Sequence, residues 1–178
     1  MAETNGYTLA PTWRRILAYF IDFILINVLL YASISVMVNQ RSLYAALGIM
    51  LLAGAYKPAM EAGLGWTIGK RSQKLAVVDV ATTGPIDLNQ ALMRFLPWAM
   101  GIFASMLILI THWQDPQFAE VKDLVQYSEF SQRTAISQSW IIQVVTSLPV
   151  VSAFWMIADP LKQALHDKLG KTIVILEE

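Results

Sequence analysis

The sequence contains no cysteine and only two histidines in 178 residues. The lack of cysteine excludes disulfide bonds, thiolate metal sites and cysteine nucleophiles, and two histidines are too few for a histidine-rich metal site. Charged residues make up only 15% of the chain, whereas about a quarter is typical of a soluble domain. The 13 basic and 13 acidic residues cancel, so no basic field favours nucleic acid. We therefore expect no bound metal, no cofactor and no nucleic-acid partner.

Hydrophobic residues make up 56% of the chain and are gathered in four long blocks. A helix of about 20 apolar residues crosses a hydrocarbon core of about 30 Å. The first block is too long for the apolar region of a cleaved signal peptide, so we interpret it as an uncleaved anchor. The pattern predicts an all-α membrane protein, a four-span transmembrane helical bundle in the lipid bilayer, with spans at about 16–38, 43–60, 95–113 and 140–158.

Two short β-branched segments, 75–80 and 172–176, are bounded by turn residues and read as strands. Two isolated strands are marginal alone, so we expect them to pair in a small cytoplasmic cap. Residues 1–12 are polar and predict a poorly ordered cytoplasmic tail. The remainder, 13–176, is predicted to be one membrane domain, in which 114–139 forms a polar external loop.

The distribution of Lys and Arg among the loops predicts the orientation, because cytoplasmic loops carry an excess of both. The external side would hold three such residues, Arg41, Lys122 and Arg133. The other side would hold Arg14, Arg15, Lys70, Arg71, Lys74, Arg94, Lys162, Lys168 and Lys171. This asymmetry predicts a multi-pass protein with both termini in the cytoplasm.

Charged residues inside the predicted spans are the main candidates for function. A carboxylate in a span costs roughly 2.5–3.5 kcal/mol, so such residues usually face a partner or a wet cavity. Asp22 lies six residues after Ile16, and Lys57 lies six residues before Gly63, near which the second helix is expected to end, so both are about 9 Å deep at about 1.5 Å per residue. Arg15 and Glu61 both fall near the cytoplasmic boundary. We predict two stacked ion pairs, Asp22 with Lys57 and Arg15 with Glu61.

Two roles for these charges remain open at this point. Paired charges can fix the packing and register of two helices. Alternatively, Asp22 exchanges a proton or binds a monovalent cation, with Lys57 as an internal competitor, since intramembrane carboxylates often build proton relays.

The spacing Arg15-x-x-Ala18-x-x-x-Asp22 resembles the opening of the RDD family of bacterial and archaeal membrane proteins. Four further segments resemble the family pattern in the same order along the chain. They are Glu61 followed by Gly65-Trp66-Thr67-Ile68-Gly69-Lys70-Arg71, Leu75-Ala76-Val77-Val78-Asp79, Ala91-Leu92-Met93-Arg94, and Leu165-His166-Asp167-Lys168 with Thr172-Ile173-Val174.

The resemblance implies an integral protein of a prokaryotic inner (plasma) membrane with buried acidic residues, and it suggests transport of ions or small ligands. Its signature residues would be Arg15, Asp22 and a later aspartate. We assign the later aspartate to Asp167, with Asp79 as the alternative. We expect Asp167 to meet a cytoplasmic cation such as Lys70 or Arg71.

Two functions are compatible with the sequence. The first is transport of a cation or small solute coupled to protons through the charges around Asp22, in a homo-oligomer because four spans enclose only a small pathway. The alternative is a non-transport accessory or assembly protein of a membrane complex, whose cap or external loop binds another membrane protein. We predict no catalytic site and no enzyme activity, because adjacent residues such as His166 and Asp167 point apart on a helix.

Overall fold

The computed structural model describes residues 3–4 and 7–177. Long helices dominate it. In chain order the helices are α1 (Thr12–Asn39), α2 (Leu43–Leu64), α3 (Ile68–Ser72), α4 (Leu88–Gln114), α5 (Leu124–Arg133), α6 (Ala135–Gln138), α7 (Trp140–Phe154) and α8 (Leu165–Leu169). The strands are β1 (Glu3–Thr4), β2 (Tyr7–Thr8), β3 (Leu75–Asp79) and β4 (Thr172–Leu176).

Within the described residues, four helical segments are long and apolar enough to cross a membrane: α1, α2, α4, and α7 extended by the 3-10 turn Trp155–Ile157. The predicted fold class, an all-α membrane protein with four spans and two short paired strands, is therefore confirmed. Helix α4 begins before the predicted third span, because residues 88–94 continue into that span as one helix with Pro97 inside it.

The chain divides into two compact units. The first comprises Met1–Leu25, Ala55–Pro97 and Pro149–Glu178, and the second comprises Ile26–Gly54 and Trp98–Leu148. Helices α1, α2, α4 and α7 each contribute residues to both units.

The first unit contains the predicted strand pair. Strands β3 and β4 are antiparallel, in a register that runs from Leu75 opposite Leu176 to Asp79 opposite Thr172. Their buried side chains, which include Val77 and Val174, pack with Ala18 of α1 and Ala91 of α4. The strand pair therefore packs against α1 and α4 within this unit.

Part of the predicted tail is fixed on this sheet. Leu9 forms a β-bridge with Ile175, and the Ala10 amide donates to the carbonyl of Val174 at 3.0 Å. The expectation of a poorly ordered tail is therefore wrong for residues 7–10, because their backbone covers the open edge of β4. Residues 1–2 and 5–6 of the predicted tail lie outside the described residues.

In the second unit, the predicted external loop contains a 3-10 turn (Pro116–Glu120) and helices α5 and α6. Its buried aromatic residues Phe118, Tyr127 and Phe130 pack with Met37 of α1 and other apolar residues of the same unit. The guanidinium of Arg41 donates to the carbonyls of Phe118 and Val121, which satisfies the end of the 3-10 turn. This segment is thus folded onto its own unit through an apolar face.

We predict that the β3–β4 register can be trapped by a disulfide in the variant Val77→Cys/Val174→Cys. The Val77 amide donates to the Gly65 carbonyl, and the Val174 carbonyl accepts from the Ala10 amide. Because these groups bond outside the β3–β4 pair, Val77 and Val174 face each other as a non-hydrogen-bonded pair. Their Cα atoms should be about 4.5 Å apart, within disulfide range. The control Val77→Cys/Ile173→Cys should stay reduced, because a shift of one residue places the side chains on opposite faces. The measurement is mobility on a non-reducing gel, and crosslinking of the control alone would contradict the register.

Candidate functional site

All five residues singled out from the sequence lie in the first unit and are buried. Helix α1 carries Arg15 and Asp22, α2 carries Lys57 and Glu61, and α8 carries Asp167. None of the five is more than 8% exposed. The structure divides them between two groups of contacts, one around Asp22 and one around Asp167.

Asp22 accepts three hydrogen bonds. Its Oδ1 accepts from the Tyr56 hydroxyl and from the Gly69 amide, each at 2.9 Å, and its Oδ2 accepts from the Thr67 hydroxyl at 2.6 Å. The Lys57 Nζ lies 3.8 Å from Asp22 Oδ2, so the structure brings together the first predicted pair. Lys57 Nζ also lies 5.4 Å from the centre of the Tyr19 ring.

The segment after α2 is shaped to meet this carboxylate. Gly65 has a φ of +77°, which suits glycine and turns the chain out of α2. Thr67 then caps α3, and its hydroxyl also accepts from the Lys70 amide at 3.4 Å. Asp22 therefore faces the first turn of a short helix, where amide groups and the helix dipole stabilise a negative charge.

Gly69 is needed for this approach. A Cβ at this position would lie 2.1 Å from the Ala18 carbonyl oxygen and 2.9 Å from Asp22 Cγ. Any side chain would therefore push α3 away from α1 and stretch the hydrogen bond from the Gly69 amide to Asp22.

Arg94 of α4 is the centre of the second group. Its Nε donates to Glu61 Oε2 at 2.7 Å, while its Nη1 donates to Asp167 Oδ1 and contacts Thr172 Oγ1. One guanidinium therefore connects α2, α4, α8 and β4. Arg94 is only 2% exposed, so these contacts replace its hydration.

The predicted pairing of Arg15 with Glu61 is wrong. Arg15 donates instead to the Asp167 carboxylate and to the Lys162 carbonyl, and Glu61 pairs with Lys70 and Arg94. The sequence argument matched depths along α1 and α2 alone, whereas α4 and α8 supply partners distant in the chain.

The expected partners of Asp167 also differ. Arg15 and Arg94 contact Asp167, whereas Lys70 pairs with Glu61 and Arg71 pairs with Glu177. The other candidate aspartate, Asp79, lies apart from this group at the end of β3. It accepts from the amides of Ala81 and Thr82, each at 2.8 Å, and from the Gln90 side chain, so it stabilises a turn.

The pKa values of two groups at the edge of the spans reflect this arrangement. Burial raises the pKa of Asp167, but the guanidinium groups of Arg15 and Arg94 outweigh it and hold the pKa well below its usual range. The ionised Asp167 therefore stabilises the fold above a pH of about 4, and this contribution is lost as the pH falls through the lowered pKa. Burial lowers the pKa of the Lys70 ammonium to about 8, although Glu61 opposes the shift.

Ser152, His166 and Asp167 are neighbours in the order found in some catalytic triads. The Ser152 hydroxyl is 2.8 Å from His166 Nδ1, and His166 Nε2 is 3.6 Å from Asp167 Oδ1. Burial lowers the pKa of His166 to about 3, so its imidazole is a weak base at neutral pH. The Asp167 carboxylate is already held by two guanidinium groups, and Ser152 also accepts from the His166 amide at 3.1 Å. This geometry suits anchoring of α8 rather than activation of a nucleophile.

The sequence argument did not identify several residues of the two groups. Arg94, Thr67 and Thr172 all lie inside segments that resemble the family pattern, but the pattern gave them no role. Lys70 was expected beside Asp167 and pairs with Glu61 instead. Tyr56 has no such signal beyond its position next to Lys57. No group of three or more His, Asp or Glu side chains in the described part of the chain is positioned to hold a metal ion.

The four membrane-length helices and the charges buried between them define a multi-pass integral membrane protein. A comparison with protein-family models gives a match to the RDD family over residues 9–171. Because this match spans most of the chain, the protein belongs to the RDD family. Searches of curated proteins and of solved structures gave no match.

We predict that Gly69→Ala lowers the apparent melting temperature of the detergent-purified protein, because the added Cβ collides with the backbone of Ala18. The matched control is Gly63→Ala in α2, where a Cβ would meet nothing within 4 Å. Alanine is also the better helix former, so the control should melt at the same temperature or higher. Equal losses in the two variants would contradict the close approach of α3 to α1.

We predict that Arg94→Gln destabilises the fold by about 3–5 kcal/mol, because it leaves Glu61 and Asp167 as insufficiently compensated buried charges. The control is Arg133→Gln, which removes an 80% exposed side chain 4.0 Å from Glu129. A surface pair of this kind contributes about 0–1 kcal/mol, so the control should melt like the wild type. The measurement is thermal unfolding in detergent. Similar melting temperatures for the two variants would show that the ion pairs of Arg94 do not stabilise the fold.

Proposed function

We propose that the protein exchanges monovalent cations for protons across the bilayer, and that Asp22 and Lys57 form the exchanging pair. The observation that carries this proposal is the division of the buried charges. Arg15, Glu61, Lys70, Arg94 and Asp167 are joined by direct hydrogen-bonded ion pairs. The Asp22–Lys57 pair is longer, at 3.8 Å, so its two charges can be separated without breaking a direct hydrogen bond between them.

The charges suggest how exchange proceeds. A cation that reaches the Asp22 carboxylate takes the place of the Lys57 ammonium, and Lys57 then releases a proton. One positive charge arrives and one leaves, so the charge beside Asp22 is conserved. The hydroxyl oxygens of Tyr56 and Thr67, which already lie 2.9 and 2.6 Å from the carboxylate oxygens, supply neutral ligands for the cation.

The remaining features of the proposal follow the sequence. The protein acts in a prokaryotic inner membrane with both termini in the cytoplasm, as the excess of Lys and Arg on the side of the cap indicates. It acts as a transporter and not as an enzyme. It forms a homo-oligomer, because four spans enclose only a small pathway.

A second candidate is favoured by one specific observation. The Asp22 carboxylate already accepts three hydrogen bonds, which suits a permanent helix cap. On this alternative the charges are structural, and the protein is an accessory or assembly factor that binds another membrane protein.

We predict proton flux that depends on added Na⁺, K⁺ or Li⁺ in liposomes containing the purified protein and a pH-sensitive dye. Asp22→Asn should reduce flux to the level of protein-free liposomes, because the charged cation ligand is lost. Lys57→Met leaves the three hydrogen bonds to Asp22 in place and should retain cation movement but uncouple it from protons. Cation movement is followed with radioactive Na⁺.

The control is Glu129→Gln, which changes an exposed carboxylate and should leave flux unchanged. Each variant must elute and melt as a folded protein before its flux is compared. An absence of flux from folded wild-type protein would overturn transport of these cations. A stable complex recovered in mild detergent would then favour the accessory role.

A further inference from the structure

We infer that the first unit carries a binding site for the phosphate-bearing headgroup of an anionic phospholipid, separate from the buried charges. The site is a cavity of about 590 Å³ between β2, the first turn of α1, the residues after α3 and the end of β4. Its volume is in the range typical of small-ligand sites. The residues that matter to the argument are Trp13, Arg14, Lys74 and Glu177.

The charge of this cavity is suited to an anion. Among the described residues neither Arg14 nor Lys74 forms an ion pair with a carboxylate, and the only hydrogen bond from the Arg14 side chain is a long one to the Gln73 carbonyl, at 3.5 Å. The carboxylate in the cavity, Glu177, is paired with Arg71 at 2.7 Å. Within the part of the chain that the structure describes, the cavity therefore presents two cations that no carboxylate pairs with.

The position of the cavity distinguishes a lipid from a free anion. Trp13 lies at the start of the first span, is 57% exposed, and has the Arg14 guanidinium 5.2 Å from its ring centre. Tryptophan is typical of the membrane–water interface. The exposed side chains Leu17, Phe20 and Ile24 follow Trp13 at helical spacing, on the same face of α1.

These two features match the two parts of one ligand. A headgroup phosphate in the cavity meets Arg14 and Lys74, while the acyl chains lie along the apolar face of α1 that begins at Trp13. A free phosphate would use only the first feature. The occupant is therefore an anionic lipid such as phosphatidylglycerol.

The test is native mass spectrometry of the detergent-purified protein with added phosphatidylglycerol, phosphatidylcholine or inorganic phosphate. The wild type should retain phosphatidylglycerol in preference to phosphatidylcholine. Arg14→Gln/Lys74→Gln should weaken this binding about 30-fold, since each basic residue near an anionic membrane contributes roughly a fivefold factor. If the double variant does not fold, each single variant should show the fivefold loss.

The matched control is Lys162→Gln/Lys171→Gln, which removes the same charge from the same unit but outside this cavity. It should bind phosphatidylglycerol as the wild type does. Equal losses in the two double variants would overturn the site, as would equal binding of the two lipids. Displacement of phosphatidylglycerol by millimolar inorganic phosphate would show that the occupant is a free anion. None of these outcomes depends on whether the protein transports cations.

Discussion

An ionised side chain withdrawn from water is stable only where opposite charges and hydrogen-bond acceptors replace the water. Arg94 meets this requirement by contacting Glu61, Asp167 and Thr172, which lie on three different elements. The backbone must come equally close, because a Cβ at Gly170 would lie 2.4 Å from Arg94 Cγ and 2.9 Å from the Gln90 carbonyl oxygen. The ion pairs of Arg94 therefore depend on the glycine after α8, because only a residue without a side chain lets the end of the chain come this close to α4.

The charges show how far a sequence argument reaches. The depths of Asp22 and Lys57 follow from the helical rise and a short connection, so their proximity could be predicted from α1 and α2 alone. The partners of Arg15 could not, because Asp167 is 152 residues away and only the complete fold brings it near. The family resemblance pointed to the right segments, but a motif identifies a residue without saying what it contacts.

The strand pairing could also be predicted from the sequence, whereas the contacts of residues 9–10 could not. Pairing of β3 with β4 could be predicted because two isolated β-branched segments on one side of a membrane need a partner. The edge contact of Leu9 and Ala10 could not, because their contribution to the sheet is through backbone groups that any sequence possesses. The fold of 114–139 is likewise weakly signalled by its polar composition, since a few apolar residues of the 3-10 turn and α5, such as Phe118, Tyr127 and Phe130, pack it against the rest of its unit.

Helix α3 links the two groups of charges. The Thr67 hydroxyl and the Gly69 amide hold Asp22, while Lys70 of the same helix pairs with Glu61, which in turn contacts Arg94. An anion at the first turn of a helix is stabilised by its amide groups, and a neutral carboxyl group is stabilised less. We therefore expect a change in the charge of Asp22 to weaken its hold on α3, whose Lys70 is paired with Glu61. This link explains why the segment 65–71 combines glycine, threonine and lysine, since the turn, the cap and the ion pair each require one of them.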